Sequence, residues 1–187
     1  MSDGVQIVAN RSCKDCTQCC KLLAIKELQK PRGTWCQYCD IKNGCRIHGT
    51  HPEECKHFYC GYLTNSALHD HWRPSKCRMV VVYEELHAPR LSVYVDSSRP
   101  FAWREKPFYD EIKRWASAAV AARGQVIVWQ GRTAIAVMPD RDKDLGQVRP
   151  DQFIITSAQP SLRGTALDVF VVDRTDPLVQ TLGLGSS

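Results

Sequence analysis

Met79-Val80-Val81-Val82-Tyr83 reads as a β-strand, and Leu91-Ser92-Val93-Tyr94-Val95 reads as its neighbour across His87-Ala88-Pro89-Arg90. Both are short β-branched and aromatic runs bounded by turn-forming residues, a texture that suits a buried pleated surface. Working outward towards the C-terminus, Phe108, Ile112, Trp115 and Ala119 recur at helical spacing, with Gly124 as the expected stop. Val126-Ile127-Val128-Trp129 and Thr133-Ala134-Ile135-Ala136-Val137 flank Gly131-Arg132, which predicts a tight hairpin. Phe153-Ile154-Ile155-Thr156 and Leu167-Asp168-Val169-Phe170-Val171-Val172 supply two further strands. The order ββαββββ predicts an α+β domain over residues 79–187, a mainly antiparallel sheet with one helix packed on a face. Its tail after about residue 177 is expected to fray. Trp103, Trp115 and Trp129, with Phe101 and Phe108, are expected in its core.

Outward in the other direction the texture changes. Residues 11–78 are cysteine, histidine and charge with few β-branched residues, and residues 1–10 read as a flexible polar end. The one periodic piece is Leu22, Leu23, Ile25 and Leu28, a short helix stopping before Pro31. Such a segment cannot bury enough apolar surface to fold unaided, so something must staple it. Cysteine is the available staple: of ten in the 187-residue chain, nine lie between Cys13 and Cys60.

Hydrophobic residues at 43% and charged residues at 24% are globular values, with 11 glycines and 10 prolines too few for a fibrous or linker-like chain. No apolar stretch approaches the roughly 20 residues of a membrane span. The start carries Asp3 and no basic, apolar prelude of the secretory kind, so a cytoplasmic location is expected. In a reducing cytoplasm, clustered thiols are used for metal ligation rather than disulfides. Residues 1–78 hold 12 Lys and Arg against 7 Asp and Glu, and residues 79–187 hold 13 of each, so the whole formal excess lies beside the cysteines. That resembles a nucleic-acid footprint. Eight thiolates on two divalent ions would contribute about −4 and cancel most of it, so little nucleic-acid binding is expected.

The opening run is Cys13-Lys14-Asp15-Cys16-Thr17-Gln18-Cys19-Cys20. Two intervening residues let a turn bring both thiolates onto one ion. The even spacing of Cys13, Cys16 and Cys19 also matches the first three ligands of a bacterial ferredoxin run, but Cys20 does not fit the fourth. Adjacent residues project in different directions, so Cys19 and Cys20 read as a branch point between two sites. Cys36, Cys45, Cys55 and Cys60 complete eight thiolates with the first four, enough for two four-thiolate sites. Bridging thiolates or other ligands stay open. Cys39 and Cys77 are expected outside the ligand set. His48, three residues after Cys45, is the candidate nitrogen ligand beside His51 and His57.

These residues carry a resemblance. The run from Cys13 to Cys60 resembles the CxxCxxCC cysteine-cluster family, described as a zinc- or iron-chelating domain. Its first block matches completely. Gly44 to Cys60 is similar to the family's "C-x-I-Y-x-x-R-P-x-x-C-x-x-F-x-C", and Cys36 falls where the family has a cysteine shortly before. His48 stands where a tyrosine is usual, His51 where an arginine is usual, and Cys39 is extra. The resemblance covers about residues 11–62. It implies a bacterial chelating module with structural zinc as the first expectation. An iron–sulfur cluster is the alternative, and so is a protein- or metabolite-modifying enzyme that uses the cluster to build its site, since a flagellin lysine methylase carries a similar cluster. A protein partner stays open. The second half carries no GxSxG, P-loop or dinucleotide fingerprint, and His69 and His71 around Asp70 read as a solvated linker.

Overall fold

The computed structural model describes residues 5–13, 16–85, 88–161 and 164–182. The cysteine-rich half consists of short pieces: α1 (Gln18–Leu22), a minimal hairpin of β1 (Cys39–Asp40) and β2 (Gly44–Cys45), α2 (Glu53–Lys56), α3 (Gly61–Thr64) and α4 (Pro74–Cys77). The second half holds β3 (Met79–Glu85), β4 (Pro89–Val95), α5 (Phe108–Ala121), β5 (Gln125–Gln130), β6 (Thr133–Val137), β7 (Asp142–Gln147), β8 (Gln152–Ser161), β9 (Gly164–Asp173) and α6 (Pro177–Thr181). The fold class is α+β. Among the described residues no helix is long and apolar enough to cross a membrane.

The expected first strand pair is β3 and β4, antiparallel, with Met79 opposite Val95; of its expected connection, residues 86 and 87 lie outside the described residues. The sheet is mixed: three of its four strand pairs are antiparallel, as the expectation has it, and one is parallel. Its order is β3-β4-β5-β6-β7, and β4 runs parallel to β5. Helix α5 is the reason: it carries the chain back along one face, so β5 starts beside the start of β4, as a parallel pair requires. At that start a Cβ on Gly124 would lie 2.5 Å from the Pro89 carbonyl oxygen, so the close approach of two strands, more than helix termination, demands glycine there. Arg123 takes the left-handed conformation (φ 54°), and Gly124 N–H donates to Ala119 O at 2.7 Å. Gly131, at φ 62°, makes the expected hairpin turn between β5 and β6.

Two expected strands leave the sheet: β8 and β9 form a separate antiparallel ribbon. The fifth sheet position goes to β7, whose polar sequence Asp142-Lys143-Asp144-Leu145-Gly146-Gln147 carries no strand pattern. Its side chains are held at its start: Asp142 accepts from Arg104 at 3.1 Å and from the Tyr109 hydroxyl at 3.0 Å, and Lys143 pairs with Asp168 at 2.8 Å. The segment expected to fray begins with α6, capped by Asp176 and anchored by fully buried Val179.

One core crosses the composition change at Met79. Leu22, Leu63, Leu68, Trp72 and Cys77 are buried in the same cluster as Val81, Val93, Val128 and Ile112. Trp72 is fully buried, its ring 4.9 Å from Phe108 and 4.7 Å from Trp115, with its indole N–H bonded to Glu111. The expected solvated linker around Asp70 is therefore a 3-10 turn that drives this tryptophan into the sheet's helix-covered layer. Trp103, Trp129 and Phe108 are buried as expected, Trp115 is half-buried, and Phe101 is exposed.

The short helix also differs from its expected place. It runs over Gln18–Leu22, and Ile25 instead bridges Lys30 in a tight turn. Near the N-terminus, Val8 N–H bonds Leu63 O, and Arg11 lies 4.4 Å over the Tyr62 ring while donating to Asn65 and Leu68 carbonyls. The basic side chain thus closes the end of α3.

Candidate metal centre

The ten cysteines are all free thiols. Those of the first half fall into two neighbourhoods that meet at the adjacent pair on α1. In the first, a turn closes with Cys16 N–H on Cys13 O at 3.0 Å. Burial raises the Cys13 thiol to about 11, and Cys60, Cys16 and Cys20 add to the rise. Burial also raises Cys16, against backbone N–H groups of Gln18 and Ser75 that donate to it. Cys60 is raised by burial in the same way, against donation from Leu63 and Tyr62 N–H. Backbone N–H donors favour the thiolate, but at Cys16 and Cys60 burial outweighs them and the net shift is upward.

The second neighbourhood centres on Cys20. Its carbonyl accepts from Cys36 N–H at 3.0 Å, and Cys39 N–H closes back on Cys36 O at 3.0 Å. Cys39 and Cys45 then face each other across β1 and β2. The Cys20 thiol is influenced by both Cys19 and Cys39. The bond from Cys19 is the main reason Cys20 is lowered to about 6; burial opposes it, while Cys39 and Lys30 assist. Cys19 rises well above its ordinary value, first through that bond to Cys20 and then through burial. Burial, then the neighbouring Cys20, pushes Cys39 to about 12 and Cys55 to about 11. Several thiols so close cannot all ionise by themselves, because each charge raises the others.

Lys30 stands among them. It is 7% exposed, and its ammonium donates to the carbonyls of Lys21 (3.3 Å), Pro31 (3.1 Å) and Leu23. Among the described residues it makes no ion pair with a carboxylate; the negative groups that oppose its burial-lowered pKa are Cys36, Cys20, Cys19 and Cys55. A buried cation satisfied by carbonyls still lacks a counter-charge, and the thiolates are the ones in reach. In the sequence Lys30 reads with Lys21 and Lys26 as a basic cluster on a helix-like run; its burial has no sequence signal, since lysine is ordinarily a surface residue.

The cysteine neighbourhoods are fixed to the sheet at Asp96, just past β4. Asp96 is 1% exposed and pairs with Lys21 of α1 at 2.6 Å. Gln18, its carboxamide oriented to satisfy both neighbours, donates to Asp96 at 3.2 Å and accepts from Arg78 at 2.7 Å. Arg32 lies over Trp129 (4.3 Å) and Tyr94 (5.2 Å).

The eight sequence-derived candidates therefore divide as Cys13, Cys16, Cys19 and Cys60 against Cys20, Cys36, Cys45 and Cys55, with Cys39 beside the second set. Cys77 is buried in the core, its thiol near the Trp72 and Met79 carbonyls and pushed by burial to about 12. His48 stacks on His51 at 5.0 Å, and His51 accepts from Gly49 N–H at 3.0 Å. As placed, no three His, Cys, Asp or Glu side chains among the described residues converge in an arrangement that could hold a metal ion. Comparison with family models, with curated proteins and with solved structures finds no match to this chain.

Proposed function

We propose that residues 11–62 are a metal-binding module in which two thiolate sets staple a chain that has too little core of its own. The observation that carries this reading is buried Lys30, which among the described residues has no carboxylate partner and is near enough to Cys36, Cys20, Cys19 and Cys55 for their charges to act on it. It is a site built for negative sulfur. The donor chemistry fits zinc: soft thiolates in numbers sufficient for two closed tetrahedra, with backbone N–H groups turned towards Cys16 and Cys60. Bound zinc would supply folding free energy by joining segments that share few apolar contacts. Cys13, Cys16, Cys19 and Cys60 would hold one ion, and Cys20, Cys36, Cys45 and Cys55 the other. Free thiols throughout accord with a reducing, cytoplasmic setting. The reading assigns the module a structural role, and its rival is an iron–sulfur centre on the same sulfurs.

Serine substitutions test it. Cys16→Ser and Cys60→Ser should each lower metal content by about one ion per chain and destabilise the first half. Cys77→Ser should lower the melting temperature through the core while leaving metal content unchanged. Equal metal loss in all three variants would defeat the assignment.

A further inference from the structure

The hairpin of β1 and β2 sets two thiols face to face: Cys39, which belongs to neither expected ligand set, lies directly opposite Cys45. Arg46 N–H donates to Tyr38 O at 2.9 Å, while Cys39 N–H turns away to Cys36 O at 3.0 Å. Those bonds mark Cys39 and Cys45 as a non-hydrogen-bonded pair, in which opposite Cα atoms approach to about 4.5 Å. Their side chains share one face of the hairpin, and both residues are partly exposed. The turn fixes the register. Asp40 accepts from Lys42 N–H at 2.9 Å and Asn43 N–H at 3.1 Å, and Gly44 takes a φ of 93°. We propose that Cys39 and Cys45 are a site of reversible oxidative modification, closing to a cross-strand disulfide on reaction with a hydroperoxide. The hairpin alone sets the pair, with or without metal. Where Cys45 holds an ion as proposed above, the new bond withdraws it from the second set.

With hydrogen peroxide as the oxidant the chemistry balances. One of the two sulfurs attacks a peroxide oxygen; the O–O bond breaks, water leaves, and that sulfur becomes a sulfenic acid. The sulfur across the hairpin attacks it; the S–O bond breaks, a second water leaves, and the S–S bond forms. Two thiols give up two electrons and two protons, and one peroxide becomes two waters. A dithiol reductant reverses the step by exchange.

Pairing and access select these two among their neighbours. A disulfide needs Cα atoms roughly 4.4–6.8 Å apart, a span that a non-hydrogen-bonded pair meets without moving either strand. Cys19 and Cys20, adjacent in the chain with Cα atoms about 3.8 Å apart, fall short of it. A rival by backbone is Cys36 with Cys39, joined by the turn that Cys39 N–H closes. Cys36 is only 7% exposed, so an oxidant meets Cys39 and Cys45 first.

Tryptic peptides separate these outcomes. The protein, purified anaerobically, is treated with a slight excess of hydrogen peroxide, alkylated and digested without reduction. The expected product joins residues 33–42 to residues 43–46, and dithiothreitol removes it. Fragmentation should place the alkyl label on Cys36 and the bond on Cys39, and the product should persist in Cys36→Ser. A bond on Cys36 instead of Cys39 would overturn the proposal. So would a link within 33–42, one from 33–42 to 15–21, or irreversible oxidation without any disulfide in this hairpin. Metal released into a chelating dye should follow the cross-link. A cross-link that releases no metal removes Cys45 from the ligand set and leaves the disulfide standing. Protein that is metal-free as purified fails the metal reading, while the peptide map still decides the disulfide.

Discussion

Asp96→Ala is expected to destabilise the protein by about 3–5 kcal/mol, the usual cost of removing one partner of a buried ion pair. Asp96 is 1% exposed and pairs with Lys21 at 2.6 Å, so alanine leaves a partly buried ammonium without its partner. Gln18, itself 2% exposed, loses its acceptor as well, and so does Ser98 N–H at 2.9 Å. The damage falls on α1, which presents Cys19 and Cys20, so metal retention should drop together with stability. Asp96→Asn keeps acceptors for Gln18 and Ser98 and should cost less. The pair also predicts an acid dependence. Burial alone would raise the Asp96 pKa, but the bonds from Lys21 and Ser98 outweigh it and hold it below its ordinary 3.8. A carboxylate lowered in the fold contributes stability fully above its unfolded pKa and loses it as pH falls through the folded one. The contribution should therefore be complete above about pH 5 and shrink below about pH 4. Urea midpoints of wild type and Asp96→Ala should converge in that acid range, and parallel curves down to the lowest pH would remove Asp96 from this role.

Lys30→Met is expected to weaken metal binding by about 10–100-fold, the range for removing a group that supports ligands from behind. Methionine matches the length of lysine without its charge, so the thiolates lose their buried counter-charge. The carbonyls of Lys21, Leu23 and Pro31 lose a shared donor, at about 1–3 kcal/mol for each left unsatisfied. Competition with a chelator of known affinity reads the first effect and urea denaturation reads the second. Lys30→Arg retains the charge and should recover most of the affinity. A Lys30→Met protein that is less stable but binds metal as tightly would make Lys30 a backbone tie only.

Much of the second half is legible from local pattern because its elements obey local rules. The β3–β4 pair, the Gly131 hairpin and α5 follow from alternation, turn chemistry and a 3.6-residue period. The parallel β4–β5 pair does not, since it depends on where α5 returns the chain. Strand β7 is invisible to pattern because Arg104, Tyr109 and Asp168 hold it from elsewhere in the sequence. In the cysteine half, spacing supplied the candidate thiols and the proposal of a branch at Cys19 and Cys20. It could not foresee that Cys36 N–H meets the Cys20 carbonyl and that the turn after it returns Cys39 to Cys36, because the two segments lie apart in sequence. The apolar run from Leu22 to Leu28 resembles a helix, but Leu22 enters the core while Ile25 turns back to Lys30. Buried Lys30 and Asp96 had no sequence signal, since lysine and aspartate are ordinarily surface residues and only the assembled neighbourhood makes them buried partners.

The central claim is that the thiols are metal ligands. Elemental analysis of anaerobically purified protein, with its visible spectrum, tests it most directly. Eight thiolates in two tetrahedral sets predict about two zinc ions per chain and a colourless solution indifferent to dithionite. A brown protein bleached by air would transfer the sites to iron and sulfur. Metal-free protein whose nine cysteines from Cys13 to Cys60 all react promptly with a thiol reagent would contradict the account.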